Sequence, residues 1–376
     1  MSDSLRVCYL TFDSLNEGVG QSQIVPLIKG LSRLGHKVTV ISFEKVESNL
    51  DKELKEAGVT WLPLKFGTHG IKGLPKRIYL MAKNIPDADV YHCRSDLPLI
   101  PLRLSRKSSS FLWDVRSLWF EQKIIVDGRR PSGFLYLLAR KLEKYAAKNA
   151  KAVNVLAEPL LEELLYRNKA IPSIRTVIPT SVDLEKFSYI NPDFSKRKIL
   201  LSGTLNNFYD IPKTRQILQA LSENSFNVEW VRGAESKRKD LDDSFIKIFS
   251  LKHDEMPSEI AESSFGIALC RTDCVDILKG VMPTKIAEFL AVGRPVIVSR
   301  GMGDLDRLII NNEIGVVLED GMATSEVVVR VNRLLLDPEL SKRCRRVAEE
   351  HFSMELAITK YSQTYRLMSS DRSENQ

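Results

Sequence analysis

The chain has 376 residues, which at roughly 100–200 residues per domain points to two domains rather than one undivided core. Apolar residues make up 43% and charged residues 27%, and 19 Gly and 16 Pro are too few for a collagenous or low-complexity protein, so a fibrous or disordered chain is excluded. Lys and Arg number 55 against 48 Asp and Glu, a surplus of +7 that favours an anionic partner, whether nucleic acid, an anionic membrane surface or a phosphorylated small molecule.

Short β-rich apolar runs alternate with helical periodicity from the start. Residues 6–12 read as a strand, Ile24, Leu27, Ile28, Leu31 and Leu34 share one helical face, and 38–43 read as the next strand, together a βαβ unit. Gly35 stands just past that helix, where a left-handed cap residue is expected. Further strands are predicted at 59–62, 90–93, 111–115, 152–156 and 176–178. The polar stretch 190–198, with Asn191-Pro192 and Lys196-Arg197-Lys198, then interrupts the pattern and predicts the domain boundary. After it, 199–202, 228–231, 245–249, 265–269, 295–299 and 316–318 read as strands, and helices over 324–336 and 339–350 close the second half. Strands alternating with helices predict parallel sheets covered on both faces. The expected fold is therefore α/β, with two doubly wound Rossmann-like domains at 1–190 and 191–352 and a ligand-binding cleft at the carboxyl ends of both sheets. The last eight residues, 369–376, read as a disordered tail.

The five cysteines, Cys8, Cys93, Cys270, Cys274 and Cys344, are odd in number and form no C-x-x-C pair. That argues against a disulfide framework or a zinc ribbon and for the cytoplasm. The N-terminus has no cationic region followed by a long apolar stretch, and no run reaches the roughly 18 apolar residues of a membrane span, so membrane contact is expected to be peripheral.

The segment from Gly280 to Val298 reads as loop, short helix, glycine stop and strand. Val281, Met282 and Pro283 lead into a helix that Thr284 can cap, so that unpaired backbone N–H groups and the positive helix end face the cleft as an anion site. Lys285 adds a mobile charge, and Glu288, one turn from Thr284 on the same face, is spaced to reach ribose hydroxyls beside a bound diphosphate. The alternative is an ordinary capped helix with a surface Lys and Glu. A glycine loop, Ser299-Arg300-Gly301-Met302-Gly303-Asp304, follows the next strand and points backbone amides the same way, making Gly303 and Asp304 candidate donor contacts. Gly18 and Gly20 form a similar loop after the first strand. A dinucleotide fingerprint fails there, although Glu44 stands where a ribose-binding acid belongs, because Gln23 replaces the third glycine and residues 13–17 lengthen the turn.

In the first domain, His92 and Arg94 close one strand, and Asp114, Arg116 and Glu121 lie in or just after the next. Polar residues at strand ends suit a hydroxylated acceptor, with nearby aromatics to stack on sugar rings; His92 is in addition a candidate catalytic residue. The competing reading has Asp114 and Arg116 as a buried ion pair shaping the loop, and His92 as a satisfied core histidine. Asp240-Leu241-Asp242 and Asp304-Leu305-Asp306 are discounted as metal-binding D-x-D pairs, the first for its charged run and the second for its place at a helix start. No His or Cys cluster has ligand spacing, so metal-independent chemistry is expected. Gly128-Arg129-Arg130-Pro131-Ser132-Gly133 precedes a helix with Phe134, Leu135, Leu137, Leu138 and Leu142 beside Arg140, Lys141, Lys144 and Lys148, which either docks on anionic lipid or packs on the sheet. Basic residues are spread rather than clustered with aromatics, which argues against a nucleic-acid-binding module.

Together these segments resemble a family over nearly the whole chain: the GT-B glycosyltransferases of the retaining group-4 class. The Gly18 to Gly20 loop with Leu34-Gly35-His36-Lys37-Val38, the stretch from Val177 to Asp183 with Phe187, the stretch from Pro283 to Val298, and Gly301-Met302-Gly303-Asp304 carry the resemblance. It implies GT-B architecture, with a final helix (353–368) crossing back to the first domain. It implies transfer, with retention, of a sugar from a nucleoside diphosphate sugar to a glycan or lipid-linked acceptor in polysaccharide biosynthesis, with no cofactor beyond that co-substrate. Glu288 matches the second acid of the family's E-x7-E motif, the ribose ligand, while the first acid is replaced by Gly280, so that either Asp276 or the backbone amides of residues 281–284 take over or activity is weakened. The run Gly203-Thr204-Leu205-Asn206 lacks the basic residues found there in the family, leaving the diphosphate to Lys285 and to Lys213, Arg232, Arg271 or Lys279. The stretch from Asp114 to Glu121 resembles D-x-R-G-x-W-x-x-E of a subset of these transferases, with Ser117 for the glycine. The departures at Gly280 and after Gly203 keep open a non-catalytic relative that senses nucleotide sugars or acts as a scaffold; an epimerase of the same architecture would use the same donor cleft.

Overall fold

A computed structural model of the protein describes residues 4–46, 49–68, 70–107, 110–127, 133–233, 241–252 and 254–370. The basic loop 128–132, the charged run 237–240 with Asp240, and residues 371–376 lie outside the described residues.

The first sheet is built from β1 (Arg6–Leu10), β2 (Lys37–Glu44), β3 (Thr60–Lys65), β4 (Val90–Arg94), β5 (Phe111–Val115), β6 (Ala152–Val155) and β7 (Ile174–Val177), all parallel, in the order β3-β2-β1-β4-β5-β6-β7. The second is built from β8 (Lys198–Ser202), β9 (Asn227–Val231), β10 (Ile246–Phe249), β11 (Phe265–Ala268), β12 (Val296–Ser299) and β13 (Gly315–Leu318), in the order β10-β9-β8-β11-β12-β13 and again parallel. Each predicted strand is present, with ends moved by a few residues at most. The central strands of both sheets are buried on both faces, because helices cover each side, and this is why they read as continuous apolar runs. Gly35 has φ 93°, the left-handed conformation that ends the first helix.

In each sheet the strand order reverses once, between β1 and β4 and between β8 and β11. A crevice opens at that point outside the carboxyl ends. Four apolar clusters cover the four sheet faces, and the one around the helix Thr284–Val292 also takes in Leu156, Ala157, Val182 and Phe187, so the core continues across the boundary between the two sheets.

The chain crosses between the two halves twice, and the crossings pair with each other. Val182 N–H donates to Phe352 O at 2.7 Å and Met354 N–H donates to Val182 O at 3.0 Å. The second crossing leads into the helix Met354–Ser370, which lies on the first sheet. Its Ile358 packs so closely on Gly30 that any Cβ there would fall 2.1 Å from Ile358 Cδ1. Ser369 and Ser370, read from the sequence as the start of a tail, still belong to this helix. The first crossing is tied to the second half by Arg294, which is fully buried. Its guanidinium donates to Ile190 O at 2.9 Å, Val292 O at 3.1 Å and Ala261 O at 2.6 Å, closing the C-terminal end of the helix Thr284–Val292.

Candidate active site

The helix Thr284–Val292 begins after Pro283, which is extended (ψ 132°) and occupies the N-cap position. Thr284 is therefore the first helical residue and does not cap, contrary to the sequence expectation: a hydroxyl already inside the helix cannot reach the N3 amide. No side chain caps this helix. The Val281 N–H is bound to Leu278 O and Pro283 has none, which leaves Met282, Thr284 and Lys285 with backbone N–H groups that have no partner among the described residues. These face the positive end of the helix, the arrangement that binds anions. Lys285 reaches across to the tip of β8, where its ammonium donates to Ser202 O at 2.5 Å and sits 4.7 Å over the Tyr209 ring. Gly203 has φ 86°, and a Cβ on it would lie 3.5 Å from Lys285 Nζ, so the ammonium rests on the glycine turn.

Glu288 and Thr284 line a cavity of about 490 Å³ between the halves, with Ser181, Asp183 and Lys186 of the first crossing, Gln21 and Ser22 beside the Gly18–Gly20 loop, and Ser353 of the second crossing. The Glu288 side chain is only 9% exposed, and among the described residues nothing hydrogen-bonds its carboxyl. Burial pushes that carboxyl up to about 7, against the pull of Lys285 and Lys186. An acid kept unpaired in a cavity of this size is placed for a ligand with hydroxyl donors.

Other predicted donor contacts are engaged differently. Gly280 is buried against the first half, where a Cβ would lie 2.9 Å from Leu160 Cδ2, so the space an acid would need there is filled. Asp276, the proposed substitute, is exposed and 3.4 Å from Lys279. Gly303 packs on Met282 and Ala157. Asp304 is not free for a donor: its carboxylate accepts the Glu158 N–H at 3.0 Å, capping the helix Glu158–Arg167 of the other half. The carboxylate of Asp306 accepts the Gly301 N–H at 2.9 Å, so both acids of the second D-x-D pair hold loops or helix ends. Gly18 is exposed, whereas Gly20 starts a π-helical turn tight against Ser14 O. Glu44 is bound by the Ser42 and Ser14 hydroxyls, the Leu15 N–H and the Asn16 amide, and thus anchors this loop instead of a ribose.

Among the four cations left open for the diphosphate, Lys213 donates to Met322 O at 3.2 Å, Arg271 forks onto Asp273, and Lys279 pairs with Glu163 at 2.6 Å. Arg232 alone has no side-chain partner among the described residues. It is half-buried just past the tip of β9, next to Gly233, whose α-carbon packs on Thr204 beside Gly203.

The expected acceptor residues require the largest corrections. His92 lies in the middle of β4, not at its end, and is 0% exposed. The Tyr365 hydroxyl donates to its Nδ1 at 2.6 Å and its Nε2–H donates to Asp114 Oδ2 at 3.1 Å, so neither nitrogen can serve a substrate. Burial lowers its pKa, although Asp114 pulls the other way. Arg94, Asp114, Asn154 and Thr176 stand in register across β4 to β7. Asp114 also accepts from Tyr361 at 3.2 Å and lies 3.5 Å from Arg116. This buried polar row grips the helix Met354–Ser370, so Asp114 and Arg116 follow the ion-pair reading and are not an acceptor site. Arg94 is buried with them, reaching out only to Asp13 at 3.2 Å. Glu121 lies elsewhere: it pairs with Arg167 at 2.7 Å and lines a small cavity with Trp119, Phe120, Tyr136 and Asp96. The sequence reading missed Asp96. Burial pushes its carboxyl up to about 7, and Trp113 Nε1–H donates to it at 2.8 Å; the preceding Ser95 at φ 66° turns the chain sharply past the tip of β4.

No protein-family model matches the sequence, and no curated protein matches it significantly. Solved structures do match. A sucrose-phosphate synthase from Thermosynechococcus elongatus superposes with a TM-score of 0.71 at 16% identity, covering 97% of this chain and 99% of its own. A glycosyltransferase from Rickettsia africae gives 0.69 at 17%, covering 97% and 99%, and HepE from Anabaena, solved with UDP-glucose, gives 0.68 at 12%, covering 96% and 99%. The likeness spans both sheets, the crevice between them and the returning helix, and the chain accordingly has the GT-B fold.

Proposed function

We propose that the protein is a retaining, metal-independent glycosyltransferase of the group-4 type, taking its sugar from a nucleoside diphosphate donor. The observation that carries this reading is the meeting, at the switch point of the second sheet, of uncapped helix amides, the Lys285 ammonium on the Gly203 turn and the unpaired Glu288 carboxyl. Positive charge fixed where a departing diphosphate develops negative charge stabilises the transition state. Glu288 takes the ribose diol. The leaving phosphate accepts the acceptor's proton, a role for which His92 is not available. HepE, a structural neighbour, is solved with UDP-glucose, which supports a nucleotide-sugar donor. The acceptor is a glycan or a lipid-linked sugar, held on the Glu121 side of the first domain, and the protein works in the cytoplasm in peripheral contact with a membrane.

The test is thermal unfolding against a panel of nucleoside diphosphate sugars and their parent nucleotides, followed by transfer assays with the donor that stabilises. A ligand at about 100 times its dissociation constant adds about 2.7 kcal/mol. Absence of any shift, for folded protein, overturns the reading. A shift with neither transfer nor donor hydrolysis favours the second reading, a nucleotide-sugar sensor, to which the filled position at Gly280 points. Arg232→Gln is expected to weaken nucleoside diphosphate binding about tenfold and nucleoside binding not at all, as measured by calorimetry, because a charge-assisted contact to phosphate is removed.

A further inference from the structure

The helix Gly133–Asn149 presents a stripe that stands exposed among the described residues. Its inner side buries Glu143, Ala146 and Ala147, while Phe134 (69% exposed), Leu137 (60%) and Leu138 (45%) stand outward on its first two turns. Lys141, Lys144 and Lys148 continue the same face at helical spacing; all three are exposed and have no ion pair among the described residues. At the helix next to it, tied on by Arg140 donating to Arg167 O at 3.4 Å, Tyr166 is 89% exposed. Large apolar side chains left in water in one place, bordered by unpaired cations, mark an interaction surface.

We infer that this stripe docks on an anionic lipid bilayer, with Phe134, Leu137 and Leu138 entering the acyl boundary and the three lysines among the headgroups. The order of chemistry along the stripe, apolar tip first and cations behind, is that of an interfacial helix. A second copy of this chain fits poorly, because a two-fold contact of the whole stripe sets lysine against lysine when the helices run parallel and lysine against the apolar end when they run antiparallel. The docked surface also borders the small cavity of Trp119, Phe120, Tyr136 and Glu121: Tyr136 lies on this helix, with its ring 6.2 Å from that of Phe120. An acceptor carried in the bilayer is thereby delivered beside the carboxyl ends of β4 and β5; this last step rests on the sugar-transfer reading, whereas the docking itself does not.

The experiment is flotation of the full chain with vesicles of phosphatidylcholine alone and of an equimolar mixture with phosphatidylglycerol. The wild type is expected to float with the mixture and to be released by salt. Lys141→Gln/Lys144→Gln is expected to partition about thirtyfold more weakly to the anionic vesicles. Phe134→Ser/Leu137→Ser is expected to lose about a hundredfold. Unfolding midpoint and nucleotide binding, read on the same samples, should match the wild type, and they keep failure of docking separate from failure of the donor site. Wild type that stays in solution with both vesicles, or variants that float as wild type does, overturn the inference. A dimer dissociated by Phe134→Ser/Leu137→Ser with no change in flotation assigns the stripe to a second copy and overturns it as well.

Discussion

Asp114→Asn is expected to lose about 3–5 kcal/mol of stability, the range for removing one partner of a buried ion pair. The carboxylate is enclosed by Arg116, Arg94, His92, Asn154 and Tyr361. Asparagine leaves the Arg116 guanidinium buried without its counter-charge, leaves Arg94 with Asp13 alone, and turns an acceptor toward the Asn154 amide into a competing donor. Urea unfolding at neutral pH should show a lower midpoint with an unchanged slope. The pH dependence has a definite sign. Burial raises the Asp114 pKa, but Arg116, His92 and Arg94 more than offset this and hold it well below the usual carboxylate range. A depressed folded value stabilises the native state above the unfolded value, near 3.9, and that stability is lost as the pH falls toward the folded value. Acidification should therefore cost the wild type more than the variant, and equal acid limbs would refute the assignment.

Glu288→Gln is expected to do two opposite things. Its carboxyl titrates at about 7 in the folded chain against 4.5 for the free side chain, so between these values the native state keeps a proton that the unfolded state releases. Stability conferred by this group is full below about pH 4.5 and is lost as the pH rises toward 7. Glutamine carries no such loss and should make the unliganded protein more stable at pH 8, by at most about 3 kcal/mol. Donor binding should move the other way. A carboxylate accepts from both hydroxyls of a ribose, so wild-type affinity for the nucleoside diphosphate should increase as the pH rises through 7, and the variant should bind about ten- to a hundredfold more weakly with a flat profile. Equal affinity for wild type and variant across that range would remove Glu288 from the donor site.

The sheets were legible because each central strand is buried on both faces and so announces itself as a short apolar run bounded by Gly, Pro or charge. The donor helix was legible for a related reason: its start, its glycine stop and the strand that follows lie within one short stretch. What the sequence could not disclose were contacts made by distant partners. His92 carries the local pattern of a strand-end catalytic residue, and its true partner, Tyr365, lies 273 positions away. Asp304 has the pattern of a loop aimed at the cleft, yet it caps a helix 146 positions earlier. Asp96 gave no signal at all, since a single Asp after a strand is common and only burial beside Trp113 distinguishes it. The absence of an acid at Gly280 was readable; that Leu160 occupies the space required the fold.

The returning helix Met354–Ser370 has a consequence for how the chain comes to its native state. The second sheet, Lys198 to Leu318, is continuous in sequence and can assemble as soon as it leaves the ribosome. The first sheet, although made earlier, must wait with Asp114, His92 and the Gly30 groove uncovered until the final residues emerge. The half synthesised first is thus completed last, and a released chain truncated before residue 354 should hold a protease-resistant second domain beside a first domain that is still cleavable.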